Sequence, residues 1–344
     1  MSSINSIEVK ILEPLEEPEL LDFMLTHLPE GERFQTFWQW RKKGPLPTAS
    51  ESAAIARLNG RIEGCVGIVP VYLASGGQKI HAQWQQDSLV AEPLRGRGIG
   101  KKLVQTGWQN FELSMAKGTS DAMYRLRISA GYRDVPNSDY LVRLLKARPL
   151  TAGLKTVFFE KVLSIVVGLF PRPAIDPGIV VRTIERFDES YGRLAESVSA
   201  MDILGPVKDR DYLNWRYFDC PGKNYQVFQA EGDGVLGAIV LNITGSDKEE
   251  GWVVDLVADP GGKAVAYALI SRAMDYFKMQ GVKRIYTFAT LSVARKWFLR
   301  FGFLPTGRSP RFTCRFASEE MKALSPERCE WNFWHGDGDV ELYM

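Results

Sequence analysis

One ordered set of short signatures occurs twice along the chain, and no other sequence feature restricts its fold as tightly. Ile7-Glu-Val-Lys-Ile-Leu-Glu13 resembles Ile179-Val-Val-Arg-Thr-Ile-Glu185, 172 residues later. Trp40-Arg41 returns as Trp215-Arg216 after 175 residues, and Gly67-Ile-Val69 as Gly237-Ala-Ile239 after 170. Val90-Ala-Glu-Pro93 returns as Val257-Ala-Asp-Pro260 after 167, and Ala130-Gly-Tyr132 as Phe301-Gly-Phe303 after 171. Each match alone is weak. Five in the same order with nearly constant spacing point to two copies of one unit, because loop insertions shift an offset only slowly. A chain of 344 residues has room for two domains of ordinary size. The expected units are residues 1–150 and 179–344. A helical stretch and the Pro-rich segment Pro171-Arg-Pro-Ala-Ile-Asp-Pro-Gly178 join them, a composition that favours an extended linker.

Within a copy, the pattern alternates between strand and helix periods. Ile7 to Leu12 reads as a strand, and Leu20, Leu21, Met24 and Leu28 recur at helical spacing. Ser52–Leu58 and Cys65–Leu73 flank Asn59-Gly60, the strongest short hairpin signal. A strand from Gln83 to Val90 enters a glycine loop. Val104, Trp108, Phe111 and Met115 then predict one apolar helix face, and Tyr140–Leu145 predicts a closing strand. The expected class is mixed α/β: two tandem domains, each a mixed, mostly antiparallel sheet flanked by helices.

Bulk properties exclude several classes of function. With 45% hydrophobic and 24% charged residues the chain can build a real core. The net charge of +2 leaves no electrostatic footprint for nucleic acid. Cys65, Cys220, Cys314 and Cys329 lie far apart without a CxxC pair, as do His27, His81 and His335. Free thiols in a reducing cytoplasm are expected, with no metal site. The N-terminus lacks the pattern of a secretory signal. The most apolar run, Val157 to Phe170, is interrupted by Glu160 and Lys161 and is too short for the ~20 apolar residues of a membrane span.

The chemistry-bearing motif is Arg95-Gly-Arg-Gly-Ile-Gly100, between the strand Asp87–Ala91 and an amphipathic helix. Glycines let a backbone turn tightly and present several N–H groups to one ligand. A helix N-terminus adds unpaired donors and partial positive charge, which suits a phosphate. The side chains of Arg95, Arg97, Lys101 and Lys102 add cationic charge. No Gly-Lys-Ser/Thr follows at Walker spacing, and the loop is not placed as a dinucleotide fingerprint would be.

The run Leu89-Val-Ala-Glu-Pro-Leu-Arg-Gly-Arg-Gly-Ile-Gly-Lys-Lys-Leu-Val104 resembles the acetyl-CoA signature of the GCN5-related N-acetyltransferases, Gln/Arg-x-x-Gly-x-Gly/Ala. Arg95, Gly98 and Gly100 meet that pattern. The resemblance covers each copy in outline. It implies that the backbone from Arg95 through Gly96, Arg97, Gly98, Ile99 and Gly100 to Lys101 holds the pyrophosphate of acetyl-CoA. It also implies that Leu89, Val90 and Ala91 pair with the pantetheine arm. In the second copy the matching stretch is Gly261-Gly-Lys-Ala-Val-Ala266, where Gly261 replaces the basic residue and Ala264 the middle glycine. One coenzyme A site per chain is therefore expected, in the first copy.

Acetyl transfer to an amine needs a base for the amine and donors for the carbonyl oxygen. The family often supplies a tyrosine for the leaving thiolate, four residues before a Gly-aromatic pair. Here that position holds Arg127 before Gly131-Tyr132, and Phe298 before Gly302-Phe303, so the usual acid is missing. Tyr124, one helical turn earlier, is a replacement candidate or a packing residue. Asp87 is a candidate base or a polar strand-edge residue. Trp84, Gln85 and Gln86 are candidates for lining an acceptor pocket, and strand alternation sends only half of them inward. Phe34, Phe37, Trp38, Trp40 and Arg41 are echoed by Tyr212, Trp215 and Arg216, which favours a shared structural anchor. Asp337, Asp339 and Glu341 lack the rest of a calcium loop and read as a solvated tail or a rim of the acceptor site.

The expected activity is acetyl-CoA-dependent N-acetylation of a primary amine on a small molecule or amino sugar. Two alternatives are a non-catalytic acyl-CoA sensor and an aminoacyl transferase of the paired-domain type. The latter calls for a strongly basic groove, which the near-neutral charge does not support.

Overall fold

The computed structural model describes residues 7–28, 31–44, 46, 52–145, 173–245 and 249–338. The apolar run Val157–Phe170 and the acids Asp339 and Glu341 lie outside the described residues. The first half contains β1 (Glu8–Ile11), α1 (Glu17–His27), α2 (Gly31–Arg41), β2 (Ala53–Leu58), β3 (Arg61–Ser75) and β4 (Gln78–Val90). It continues with α3 (Ile99–Gly107), β5 (Leu113–Ala116), α4 (Asp121–Ser129), β6 (Arg133–Asp134) and β7 (Leu141–Leu144). The second half contains β8 (Val180–Thr183), α5 (Ser190–Ser199), β9 (Ile203–Pro206), α6 (Arg210–Tyr217), β10 (Gln226–Glu231), β11 (Val235–Thr244) and β12 (Glu250–Ala258). Next come α7 (Lys263–Met279), β13 (Arg284–Thr287), α8 (Ser292–Arg300), β14 (Leu304–Pro305), β15 (Thr313–Phe316) and β16 (Glu330–Trp331). Among the described residues no helix is long and apolar enough to cross a membrane.

The Asn59-Gly60 hairpin forms as expected, with φ of 53° and 79°, the left-handed pair that matches strand twist. One helix differs from its sequence pattern. The apolar spacing Val104–Trp108–Phe111–Met115 does not belong to a single helix, because α3 ends at Gly107 and Met115 lies on β5. The reason is nonlocal: β5 must turn back to pair in parallel with β4 over Leu113–Met115, and Met115 is buried from the strand.

Two mixed sheets result, and they repeat one pairing scheme. The first runs β1-β2-β3-β4-β5-β15-β6, with β9 and β16 attached beside β3; the second runs β14-β7-β13-β12-β11-β10-β8. In each, only the β4–β5 or β12–β13 contact of that path is parallel. The last strand pairings are exchanged. β15, from the second half, lies between β5 and β6, while β7, from the first half, lies between β13 and β14. The closing strand expected near Tyr140–Leu145 therefore forms, but it completes the other sheet. Each half relies on the other for backbone hydrogen bonds.

The two halves also meet ring to ring. Trp40 and Trp215 stack with centroids 4.5 Å apart and planes 9° from parallel. Trp40 Nε1 donates to Trp215 O at 2.9 Å, and Trp215 Nε1 donates to Trp40 O at 3.1 Å. Such reciprocity is the signature of a local two-fold relation between the copies. Another sequence match shifts in register. Gly67 faces Gln86 whereas Gly237 faces Ala258, so the counterpart of Gly237 is closer to Gly64, which faces Val90.

Candidate active site

A cleft of about 660 Å³ opens between the end of β4, the glycine loop, the start of α3 and the inner side of α4. Its walls are mostly apolar, with Val66, Leu89, Leu103 and Leu126 among them. Leu89, Val90, Arg95, Gly96, Gly98, Ile99, Gly100 and Lys101 all border it. Ala91 is buried beneath the loop, and Arg97 is exposed at its tip.

Local chemistry explains the loop. Glu92-Pro93-Leu94 makes a single 3-10 turn, and Arg95 Nε then reaches back to Val90 O at 3.0 Å. Gly96 and Gly98 both take φ of 79°, where a side chain would be strained. The first backbone bond into α3 is Lys102 N–H to Gly98 O at 3.2 Å. Among the described residues nothing accepts from the backbone N–H groups of Gly96 through Lys101. All of these residues except Arg97 border the cleft, beside cationic side chains, a combination that fits a pyrophosphate.

The corresponding loop of the second half is closed on itself. Asp259 Oδ1 accepts from Gly261 N–H at 2.6 Å and Asp259 O from Gly262 N–H at 2.8 Å. A carboxylate thus takes the place where an anion would bind. Behind it Tyr267, Trp297, Phe298, Phe301 and Trp334 join the second core.

Asp87 and Ser88 occupy a bulge in β4. Gln86 pairs with Gly67 and Leu89 with Cys65, so both residues oppose Val66 alone, and Asp87 takes φ of 47°. A bulge of this kind re-aims side chains. Ser88 turns to the cleft, while Asp87 forms a buried ion pair with Arg41 from α2. Its neighbours Trp84 and Gln86 border a small chamber with Trp40, Arg41, Trp215 and Gly338. Asp87 itself borders neither space; its chain neighbours Ser88 and Gln86 border the cleft and the chamber. Cys65, at the cleft wall, is buried 3.1 Å from Met24 Sδ, and burial pushes its thiol pKa up.

Tyr124 is not in this constellation. It lies on the outer side of α4 and donates to Asp134 Oδ2 at 2.7 Å, a bond that raises its pKa; its neighbours Met123 and Arg125 border the cleft instead. Gln85, alternating with Trp84 and Gln86, points the opposite way into a buried polar network. Gln85 Nε2 donates to Val104 O at 3.0 Å, and Gln85 Oε1 accepts from Tyr132 Oη at 3.0 Å and Arg127 Nη1 at 2.6 Å. Tyr132 Oη is also 2.7 Å from Ser114 Oγ. This network fills the gap left where the parallel β4–β5 pairing stops at Trp84 and Met115. Sequence inspection missed its coherence, because its members are local neighbours only in space.

Asp337 is buried rather than solvated. It accepts from Trp334 N–H at 2.7 Å and from Lys208 Nζ at 3.2 Å. Lys208 also bonds Asp255 of β12 at 2.6 and 2.8 Å, and Tyr212 of α6 donates to Asp337 at 3.2 Å, so Asp337 is locked to α6 and β12. Among the described residues no cluster could hold a metal ion.

No family model matches the chain, and no curated protein matches it. Solved structures do. A GCN5-related N-acetyltransferase from Anabaena variabilis superposes with a TM-score of 0.60 at 12% identity, over 93% of this chain and 74% of its own. A tandem GNAT protein from the clavulanic acid biosynthesis pathway gives 0.51 at 14%, over 91% and 99%. Saccharomyces cerevisiae N-myristoyltransferase with bound myristoyl-CoA gives 0.51 at 11%, over 91% and 83%. At such identities the likeness is one of architecture: over nearly its whole length the chain has the fold of the GCN5-related N-acetyltransferases.

Proposed function

We propose that this chain is an acetyl-CoA-dependent N-acetyltransferase, active in its first half, acting on a primary amine of a small molecule or amino sugar. The observation that carries this reading is the row of backbone donors from Gly96 to Lys101, which lack partners among the described residues and, Arg97 apart, belong to residues bordering the cleft. In this reading Arg95 to Lys101 hold the pyrophosphate. The backbone of Leu89, Val90 and Ala91 pairs with the pantetheine amides along the edge of β4 that β5 has left. Bound acetyl-CoA supplies the activated acyl group. Asp87, next in the chain to cleft-lining Ser88, relays the proton released by the amine. The second half, with its loop closed by Asp259, supports the first and completes its sheet through β15. Tyr124, half-buried and bonded to Asp134, fits a structural role on α4. Four cysteines, none of them in a disulfide among the described residues, fit a reducing cytoplasm.

A non-catalytic acyl-CoA sensor is the second reading, favoured by the ion pair that ties Asp87 to Arg41. Two measurements separate them. Acetyl-CoA raises the melting temperature in either case, by about 2.7 kcal/mol of stabilisation at a hundredfold excess over Kd. Only the enzyme releases free thiol from acetyl-CoA when offered an amine library. Gly98→Asp should abolish the stabilisation and Ala264→Asp should leave it. Stabilisation that survives Gly98→Asp would place the cofactor elsewhere.

A further inference from the structure

Arg127 leaves the last turn of α4 and turns inward until the residue is 1% exposed. Its guanidinium donates to Gln85 Oε1 at 2.6 Å and to Ser88 Oγ at 3.2 Å, and lies 5.3 Å from the centre of the Tyr132 ring. Gln85 is fixed in turn by Val104 O and Tyr132. Ser88 therefore accepts a charge-assisted hydrogen bond from a rigidly placed cation. Its own hydroxyl proton remains to be donated, and among the described residues nothing accepts it. Ser88 borders the cleft and Arg127 stands behind it.

Position along the cleft tells which end of the ligand Ser88 meets. β4 runs from Ser88 through Val90 towards Arg95, so the phosphate-binding donors lie at one end of the cleft and Ser88 with Cys65 at the other. Cys65 is buried and its thiol is kept neutral, which leaves Ser88 as the polarised donor there.

We propose that Ser88, oriented and polarised by Arg127, donates its hydroxyl hydrogen bond to the departing sulfur of coenzyme A and so serves where the family's tyrosine is missing. This inference rests on the functional reading above. In the step, the amine nitrogen bonds to the carbonyl carbon and the carbon–sulfur bond breaks, its electron pair remaining on sulfur. The proton lost by nitrogen passes by way of Asp87 to solvent, and the thiolate later takes one from water; Ser88 keeps its own. Ser88 is the catalytic residue and Arg127 a positioning residue. The cation matters because a hydroxyl already bonded to a guanidinium is a stronger donor to an anion than a free one.

The test needs no acceptor. Free coenzyme A is bound to the full chain, and its thiol is titrated by the ultraviolet absorbance of the thiolate. The bound thiol of the wild-type complex should ionise ~1 pH unit below the free thiol, a tenfold gain in acid strength. Ser88→Ala should return it to the free value, Ser88→Thr should keep most of the shift, and Arg127→Lys should lose part of it. Should Arg127→Lys fail to fold, the two Ser88 variants decide alone. A wild-type complex whose thiol titrates like free coenzyme A overturns the proposal, as does a Ser88→Ala complex indistinguishable from wild type. If coenzyme A does not bind at all, melting is unshifted, and the functional reading falls together with this inference.

Discussion

Removing the Trp40 ring tests whether the exchanged strands make the two halves one cooperative unit. Trp40 is 7% exposed, stacks on Trp215 at 4.5 Å and donates one of two reciprocal indole bonds. In Trp40→Ala the Trp215 Nε1 bond to the backbone O of residue 40 survives, whereas Trp215 O loses its donor. Deleting a buried aromatic ring costs about 3–5 kcal/mol, of which aromatic stacking accounts for about 1. A loss of about 4 kcal/mol is expected. If all 344 residues unfold together, an unfolding entropy of about 2 cal/mol/K per residue turns that loss into a fall of about 5 °C in Tm. Units of half the size would shift about twice as far, and separately. Trp40→Phe keeps part of the stack but loses the hydrogen bond and some buried ring area, so about 2–3 kcal/mol is expected. The assay is thermal and denaturant unfolding followed by both tryptophan fluorescence and far-ultraviolet circular dichroism. A single transition, coincident by both probes and shifted by about 5 °C, supports the reasoning. Two resolved transitions, or a shift under about 1 °C, would refute it, because shared strands would then not couple the halves.

Other consequences follow from particular residues. The Arg41–Asp87 pair is buried on both sides, so Asp87→Asn or Arg41→Met alone should cost about 3–5 kcal/mol, and the double variant much less than the sum, as a double-mutant cycle in urea would show. His335 is 1% exposed, stacks 4.2 Å from Trp252, and is held well below the usual histidine pKa by burial and then by Lys117 and Arg216. The fold keeps it neutral while the unfolded chain protonates near pH ~6.5, so its contribution is full above that pH and declines as pH falls below it. His335→Phe should flatten that acid limb of the stability curve; an unchanged slope would show that other groups cause it. Gly98→Ala places its methyl in open space but at φ of 79°, so a cost of about 1–2 kcal/mol is expected, from strain rather than collision.

What could be read from the sequence depended on how local its cause was. The duplication, the Asn59-Gly60 hairpin and the phosphate-suited loop were legible because a few adjacent residues produce them. The apolar spacing through Met115 misled because helix periodicity ran across Gly107 into a strand whose place is set by β4. For the candidates Tyr124 and Asp87 the sequence shows neither partner: Tyr124 faces away from the cleft to Asp134, and Asp87 is tied to Arg41 from an earlier helix. No local pattern could have shown either partner.

By itself the sequence determined that one α/β unit occurs twice and that only the first copy keeps the glycine-rich loop with its cations. Tertiary structure decided the rest. It exchanged β7 and β15 between the sheets, because strand partners are chosen by nonlocal pairing and shared burial rather than by order along the chain. It turned Ser88 into the cleft through a bulge that exists only against β3, and set Arg127 behind it through the packing of α4. It also closed the second loop, where Asp259 accepts from Gly261 and Gly262 N–H, while among the described residues nothing accepts from Gly96 through Lys101 in the first.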